Sequence, residues 1–434
     1  MTTSNSHKNI SAHNYGSVNN YRSYLNLLLD NHQFRRLWIA SIISQLGNWF
    51  NYIAIFVLLN QFTGSGHAVS WFLIAKYIPT TFLGPTAGIV ADRISRKTIM
   101  VFCDTARIFV VLGYLFVDGA DMVWLVYLLA LVQESIWTFY DPARRASVPN
   151  VCREGELHIA NALSGATWSI MLAAGAALGG IATTLWGWQT AILLDSITFF
   201  LSALILRKLI LPPANTTQKK DFSFRDYLGI DDIIAGWRYI KKNRKITSIL
   251  VVKSGWAFSG GILVMLTIFG EQVLTEGSNG GGSGILYSCR GVGAAIGPLL
   301  AWRLLGESDQ AMHKAIAIAF FIAGFSYMLL SMAPNFYWAG PLVMIGHIGG
   351  SIQWVFSTTL IQKMVPDTFR GRVLATEMVL FTFILSLSTY FTGSAIDTGV
   401  APREVMFYLG ALFLVPGIMW SGYIYFFYKD FKNK

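Results

Sequence analysis

Twelve apolar runs, each of about 20 residues or more and almost free of charge, follow one another along this chain. They fall at residues 34–60, 68–91, 98–117, 121–143, 157–185 and 187–211, and again at 247–274, 282–305, 313–332, 337–362, 373–397 and 402–428. A bilayer core about 30 Å thick is crossed by roughly 20 residues of helix, and lipid offers no partner for an unpaired backbone amide. Runs of this length and apolarity therefore predict an all-α membrane protein with twelve transmembrane helices. Only 13% of the residues are charged, about half the share of an ordinary soluble domain.

The runs divide six and six. The organisation expected is a tail at 1–33, a six-helix bundle at 34–211, a linker at 212–246, a second six-helix bundle at 247–428 and a short tail at 429–434. Residues 1–33 are rich in Ser, Asn and His, carry no signal-peptide pattern and end in an amphipathic lead at Tyr24 to Leu29. Gly84-Pro85 recurs as Gly297-Pro298, and Val148-Pro149 as Val365-Pro366, at offsets of 213 and 217 residues. Matched punctuation at nearly one offset predicts two six-helix pseudo-repeats. With the N-terminus placed inside, 28 of the 33 Lys and Arg residues lie on the inner side and only Arg403 lies in an outer loop. That bias predicts a multi-pass protein of the cell (inner) membrane with both termini and the linker cytoplasmic.

Several classes are excluded by the same reading. The net charge of +10 is scattered between apolar runs and forms no basic face, so no nucleic-acid partner is expected. Cys103, Cys152 and Cys289 lack metal-ligand spacing, and no metal is expected. Gly277 to Gly284 is not followed by the Gly-Lys-Ser/Thr of a phosphate cradle, and no segment holds a Ser/His/Asp cluster. The chain is expected to need no cofactor and to be no enzyme.

The strongest local signal is Gly88-Ile-Val-Ala-Asp92-Arg93-Ile-Ser-Arg96-Lys97, between the second and third runs. Asp92 stands where a helix end enters water, so its carboxylate can cap the positive N-terminus of a helix from the other bundle. The eleventh run is placed for this, with Gly371 and Arg372 at its start and Glu377 close behind. Arg93, Arg96 and Lys97 can pair with acids or with anionic lipid head groups. The block resembles the signature of the major facilitator superfamily, Gly-x-x-x-Asp-Arg-x-x-Arg followed by Lys or Arg.

A second block, Asp141-Pro-Ala-Arg144-Arg145-Ala-Ser-Val-Pro149 followed by Leu157-His-Ile-Ala-Asn161-Ala-Leu163, resembles the enterobactin-exporter and macrolide-efflux branch of that superfamily. Gly47-Asn48-Trp49, Thr63-Gly64-Ser65, Asp104-Thr-Ala-Arg107 and Arg370-Gly371-Arg372 are similar to the same branch. The resemblance covers about residues 34 to 430. It implies the major facilitator fold and alternating access by a monomer. It also implies proton- or other ion-driven antiport exporting a small molecule, either a siderophore or a drug-like compound. Import, lysophospholipid flipping and a non-transporting receptor or scaffold stay open. Two departures stand out: Asn48 cannot titrate where the branch often has an acid, and Ala176 replaces a proline in Gly175-Ala-Ala-Leu-Gly179-Gly180, so no kink is expected there.

Four cations, Lys76, Arg107, Lys253 and Arg290, lie within the runs, where an unpaired charge is costly and marks a functional candidate. Arg107 and Glu134 fall at similar depth and are expected to pair, with Asp104 competing from one turn away; these three are the candidates for ion coupling. Asp195 is a weaker candidate, and His347 reads as a hydrogen-bonded core residue. Lys76 and Arg290 stand at nearly equivalent places before Gly84 and Gly297 and are expected to contact an anionic substrate, together with Asn48 and Asn51.

Overall fold

The computed structural model describes residues 21–211, 230–274, 281–306 and 308–427; the expected tails at 1–20 and 429–434 and the linker at 212–229 lie outside the described residues. In the first half, α1 (Tyr21–Asp30) leads into α2 (His32–Phe62), α3 (Gly66–Arg93), α4 (Arg96–Gly113), α5 (Val123–Val151), α6 (Leu157–Ile170) and α7 (Ala176–Arg207). In the second, α8 (Ile230–Lys242) leads into α9 (Arg244–Phe258), α10 (Ile262–Ile268), α11 (Gly282–Leu305), α12 (Asp309–Leu330), α13 (Phe336–Met364), α14 (Asp367–Asp397), α15 (Pro402–Leu412) and α16 (Leu414–Phe427).

Small polar residues start the crossings. The side chains of Asn31, Ser65, Ser95, Ser308 and Asn335 accept backbone N–H bonds at the starts of α2, α3, α4, α12 and α13, where those donors have no intrahelical acceptor. The fifth and sixth crossings run on through α6 and α7 and separate at Gly187, whose φ of 81° favours glycine. Although Ala176 replaces a proline, the fifth crossing is still irregular. A π turn at Met171–Gly175 takes the place of a proline kink, with the Trp49 ring packed against Gly175. α9 with α10 makes the seventh crossing and α15 with α16 the twelfth, so the helices agree with twelve spans in two sets of six.

The last part of the expected N-terminal tail is ordered. α1 docks on the first half with Leu27 fully buried, and Asn31 just after it donates to the Glu156 carboxylate at 2.6 Å and to the Val151 carbonyl at 2.7 Å. An amphipathic lead in a polar stretch is thus a packed helix, which the tail's composition conceals.

The two halves meet along two seams, α3 with α14 and α6–α7 with α11. The terminal face is the one where α2 begins and α16 ends; the far face carries the turns at 63–65 and 398–401. Near the far face the seams are tight. Gly66 abuts Gly393 and Ile396, Ser70 donates to the Thr389 carbonyl at 2.7 Å, and Gly284 lies against the backbone of Gly180 and Ala176. Gly84 and Gly88 lie eighteen residues, or five turns, beyond Gly66 and Ser70 on the same face of α3. A Cβ there, or at Gly371 of α14, would meet nothing within 4 Å among the described residues. The halves therefore diverge toward the terminal face. The core agrees: one hydrophobic cluster spans both halves, whereas the terminal end of the first half has a separate core around Met100, Tyr140 and Ile159.

Candidate transport site and gates

Where the halves close, their contact is aromatic. Tyr52 and Phe56 of α2 pack on Tyr287 of α11 with ring centroids 5.6 and 5.5 Å apart, and Trp49 and Phe72 complete the cluster. Such rings supply a large apolar area with a negative face toward any cation beside them. Lys76 Nζ lies 5.3 Å from the Tyr52 centroid and Arg290 Cζ 5.5 Å from the Tyr287 centroid. The fold thus brings the two sequence-predicted cations to one aromatic pair, one from each half. Both stand about 12–15 Å below the far face, from their distance along α3 and α11.

Their electrostatic situations differ. Lys76 pairs with Glu134 at 3.5 Å, with side chains 20% and 16% exposed, so Glu134 does not take Arg107 as partner. Arg290 makes no ion pair among the described residues, and its Nε is buried without a hydrogen-bond acceptor. Asn51, adjacent in sequence to Tyr52, is buried with both amide atoms unpartnered, while Asn48 is half-buried. Gln353 of α13 is buried and unpartnered in the same way; a lone Gln in an apolar run carries no sequence signal that distinguishes it. Buried amides without partners are rare enough to ask what satisfies them, and a buried water is the chemistry available.

Arg107 turns to the nearer acid. Its guanidinium binds Asp104 one turn back, and Asp104 also accepts from the Ser202 hydroxyl at 2.6 Å. The guanidinium lies 4.2 Å from the Phe199 centroid and 4.7 Å from that of Tyr140, an aromatic enclosure that suits its weakly hydrated planar charge. Asp104 and Arg107 thus staple α4 to α5 and α7. Glu377, read as a gate partner, is instead buried against Lys253 of α9 at 2.7 Å, inside the second half, with Lys253 Nζ 4.5 Å from the Trp354 centroid. His347 is buried with Nδ1 3.5 Å from the Tyr327 hydroxyl. Asp195 is fully buried against Gly47 and makes no ion pair among the described residues. One carboxylate oxygen is 3.4 Å from the Thr198 hydroxyl and the other has no partner. Its importance comes from space: only the absence of a side chain at Gly47 lets it sit there.

At the terminal face the signature block straddles a helix break. Gly88 to Arg93 end α3, Ser95 caps α4, and Arg96 and Lys97 open it; Arg96 donates to the Ala146 carbonyl at 2.7 Å, tying this turn to α5. Arg372 of α14 stacks its guanidinium 5.7 Å from the Phe369 centroid. The Asp92 side chain lies outside the described residues.

This architecture has relatives. A model of the transmembrane secretion effector family matches residues 27–412. The chain belongs to that family of major facilitator transporters. Similar proteins include the MFS-type transporter YkuC of Bacillus subtilis, 24% identical over 89% of this chain and 91% of that one. Macrolide efflux protein A of Streptococcus pyogenes is 22% identical over 79% and 84%. The putative bacilysin exporter BacE of Bacillus subtilis is 21% identical over 77% and 82%. Among solved structures, the nucleoside transporter NupG superposes with a TM-score of 0.69 at 11% identity, covering 90% of this chain and 98% of that one. A bacterial Spinster homologue, inward-facing and unoccupied, superposes at 0.68 and 13%, covering 90% and 96%. At such identities the structures establish the fold of this secretion effector and nothing about its substrate. The family and its neighbours are transporters, and the chain is a multi-pass transporter and not an enzyme.

Proposed function

We propose that this secretion effector exports an amphipathic small molecule bearing an anionic group, by alternating access of its two halves and driven by a proton gradient. The observation that carries the substrate class is Arg290: a membrane-embedded cation with no acid partner among the described residues, set beside an aromatic cluster where the cleft closes. A carboxylate, sulfonate or catecholate, siderophores included, gains a charge-assisted bond there while its apolar body packs on the rings. Lys76 is a weaker contact than its symmetry with Arg290 implies, because Glu134 already holds its charge. Export as the direction rests on the likeness to the macrolide efflux protein and the putative bacilysin exporter.

Asp195 is the preferred proton carrier. A buried carboxylate with no counter-charge is costly in a membrane, so its proton occupancy is the variable a gradient can drive. Asp104 and Glu134 are each held by a cation. Sidedness follows from the charge bias: the terminal face is cytoplasmic. The cleft then opens to the cytoplasm, where an exporter loads.

The test uses proteoliposomes with an imposed proton gradient and an aromatic carboxylate paired with its neutral ester. Arg290→Gln is expected to slow transport of the carboxylate about tenfold or more and that of the ester about twofold at most. Equal effects on both compounds would defeat the anionic reading. Asp195→Asn is expected to lose gradient-driven accumulation while keeping downhill exchange; retained accumulation removes it as the coupling site. An impermeant thiol reagent applied to cells should label Tyr337→Cys and spare Gln362→Cys, and the reverse overturns the sidedness.

A further inference from the structure

We propose that Asp397 is a far-face latch that works in alternation with Asp92 at the opposite end of the same helix pair. Asp397 is the last residue of α14, and its carboxylate reaches across the seam to the start of α3. There it accepts the Gly66 N–H at 2.7 Å, the Ser65 hydroxyl at 2.6 Å and the His67 N–H at 3.2 Å. The first N–H groups of a helix lack intrahelical acceptors and form its positive end, so a carboxylate is favoured there. At the C-terminus of its own helix the same carboxylate faces the negative end, an unfavourable place when uncompensated. The contact with the other half reverses that sign, which makes Asp397 sensitive to whether the far seam is open.

The arrangement is reciprocal. α3 and α14 run antiparallel, so each end of the pair joins the C-terminus of one helix to the N-terminus of the other. Asp397 ends α14 at the far face, and Asp92, one residue before the end of α3, stands at the terminal face where α14 begins. At the far end the contact is made, and Gly66, Ser70 and Gly393 let the two backbones touch. At the terminal end Gly84, Gly88 and Gly371 face open space. Two helices that pivot against each other cannot close both ends at once, so Asp397 is capped while the far end is closed and loses its cap when that end opens. The charge–dipole energy given up at one end is regained at the other, and the two states stay close in free energy, as rapid alternation requires.

The test is a pair of distances in the full chain, with Cys103→Ser, Cys152→Ser and Cys289→Ser as background. Spin labels at Asp121 and Tyr337 report the far face, and labels at Thr98 and Gln362 the terminal face; all four residues are exposed. Removing the latch by Asp397→Ala is expected to raise the far-open population about two- to fivefold and the terminal-closed population in step. Asp397→Asn, which keeps the shape and loses the charge, guards against a folding failure of the alanine variant and should show part of the same shift. Unchanged populations in both variants, or a lowered melting temperature without a shift, would overturn the latch and leave an ordinary surface cap. The proposal rests on alternating access, and the two failures are distinct: a wild-type protein with one fixed distance at each face under all substrate and proton conditions overturns alternation itself.

Discussion

The two ends of the α3–α14 pair are built from similar parts and are in opposite conditions. At the far end Gly66 and Gly393 bring backbones into contact, Ser70 bonds across the seam and Asp397 caps the facing helix. Five turns away, Gly84 and Gly88 present the same kind of small surface to nothing within 4 Å. A glycine that touches nothing has no packing role in the observed state. Its role belongs to a state in which that end is closed, so the contrast describes the cycle better than either end alone. Small residues suit this work because in lipid two helices attract mainly through close van der Waals packing, which a seam of glycines can make and release without leaving exposed side chains.

The contrast can be attacked at five positions. Glu377→Gln leaves Lys253 charged and buried without its acid, on a contact of α14 with α9 inside the second half; by analogy with buried pairs elsewhere this costs about 3–5 kcal/mol. Thermal unfolding in detergent should show a large loss of stability with the ratio of far to terminal opening unchanged. A shifted ratio would mean that the Lys253–Glu377 pair belongs to the gates after all.

Gly393→Leu puts a side chain where backbone and Ser70 already stand, an overpacking of about 1–3 kcal/mol with little room to relax. It should prop the far seam open and stop transport, whereas Gly88→Leu should leave the observed state intact and block the opposite one. Identical distance distributions for the two variants would dissolve the contrast between the ends. Asp92→Asn removes the charge at the terminal end, and a partly buried charge–dipole contact of up to ~2 kcal/mol moves a two-state equilibrium about thirtyfold. Transport should fall severely at near-normal abundance; unchanged transport would confine latching to Asp397. Gly84→Ala should alter the stability of the observed state by less than ~0.5 kcal/mol, since its methyl meets open space. A larger loss in a melting experiment would show that the terminal end is packed.

Much of this molecule is legible in the chain. The spans, their division six and six and the loop that carries Asp92 follow from local properties, because lipid acts on each segment separately. The break at Gly187 falls where the fifth and sixth runs part. The candidate site is readable as a set of costly charges, Lys76, Arg290, Asp104, Arg107, Glu134 and Asp195 among them. Their partners were not readable. Depth suggested that Arg107 meets Glu134, but the guanidinium takes the acid on its own helix, and Glu134 goes to Lys76. Asp397 carries no distinguishing sequence signal, because an acid where an apolar run ends beside a turn looks like any solvated surface charge.

The sequence by itself determined that the chain crosses a membrane many times as helix, which face carries its basic residues and which residues in the spans bear charge. Those properties depend on composition and on near neighbours along the chain. Tertiary structure alone decided which acid meets which cation, that Asp195 lies against Gly47 without a counter-charge, and that the far seam is closed while the terminal one is open. Charge pairing in a low-dielectric interior depends on separations of a few ångströms between helices distant in sequence. The choice between two nearly equal closures depends on contacts that exist in only one of them.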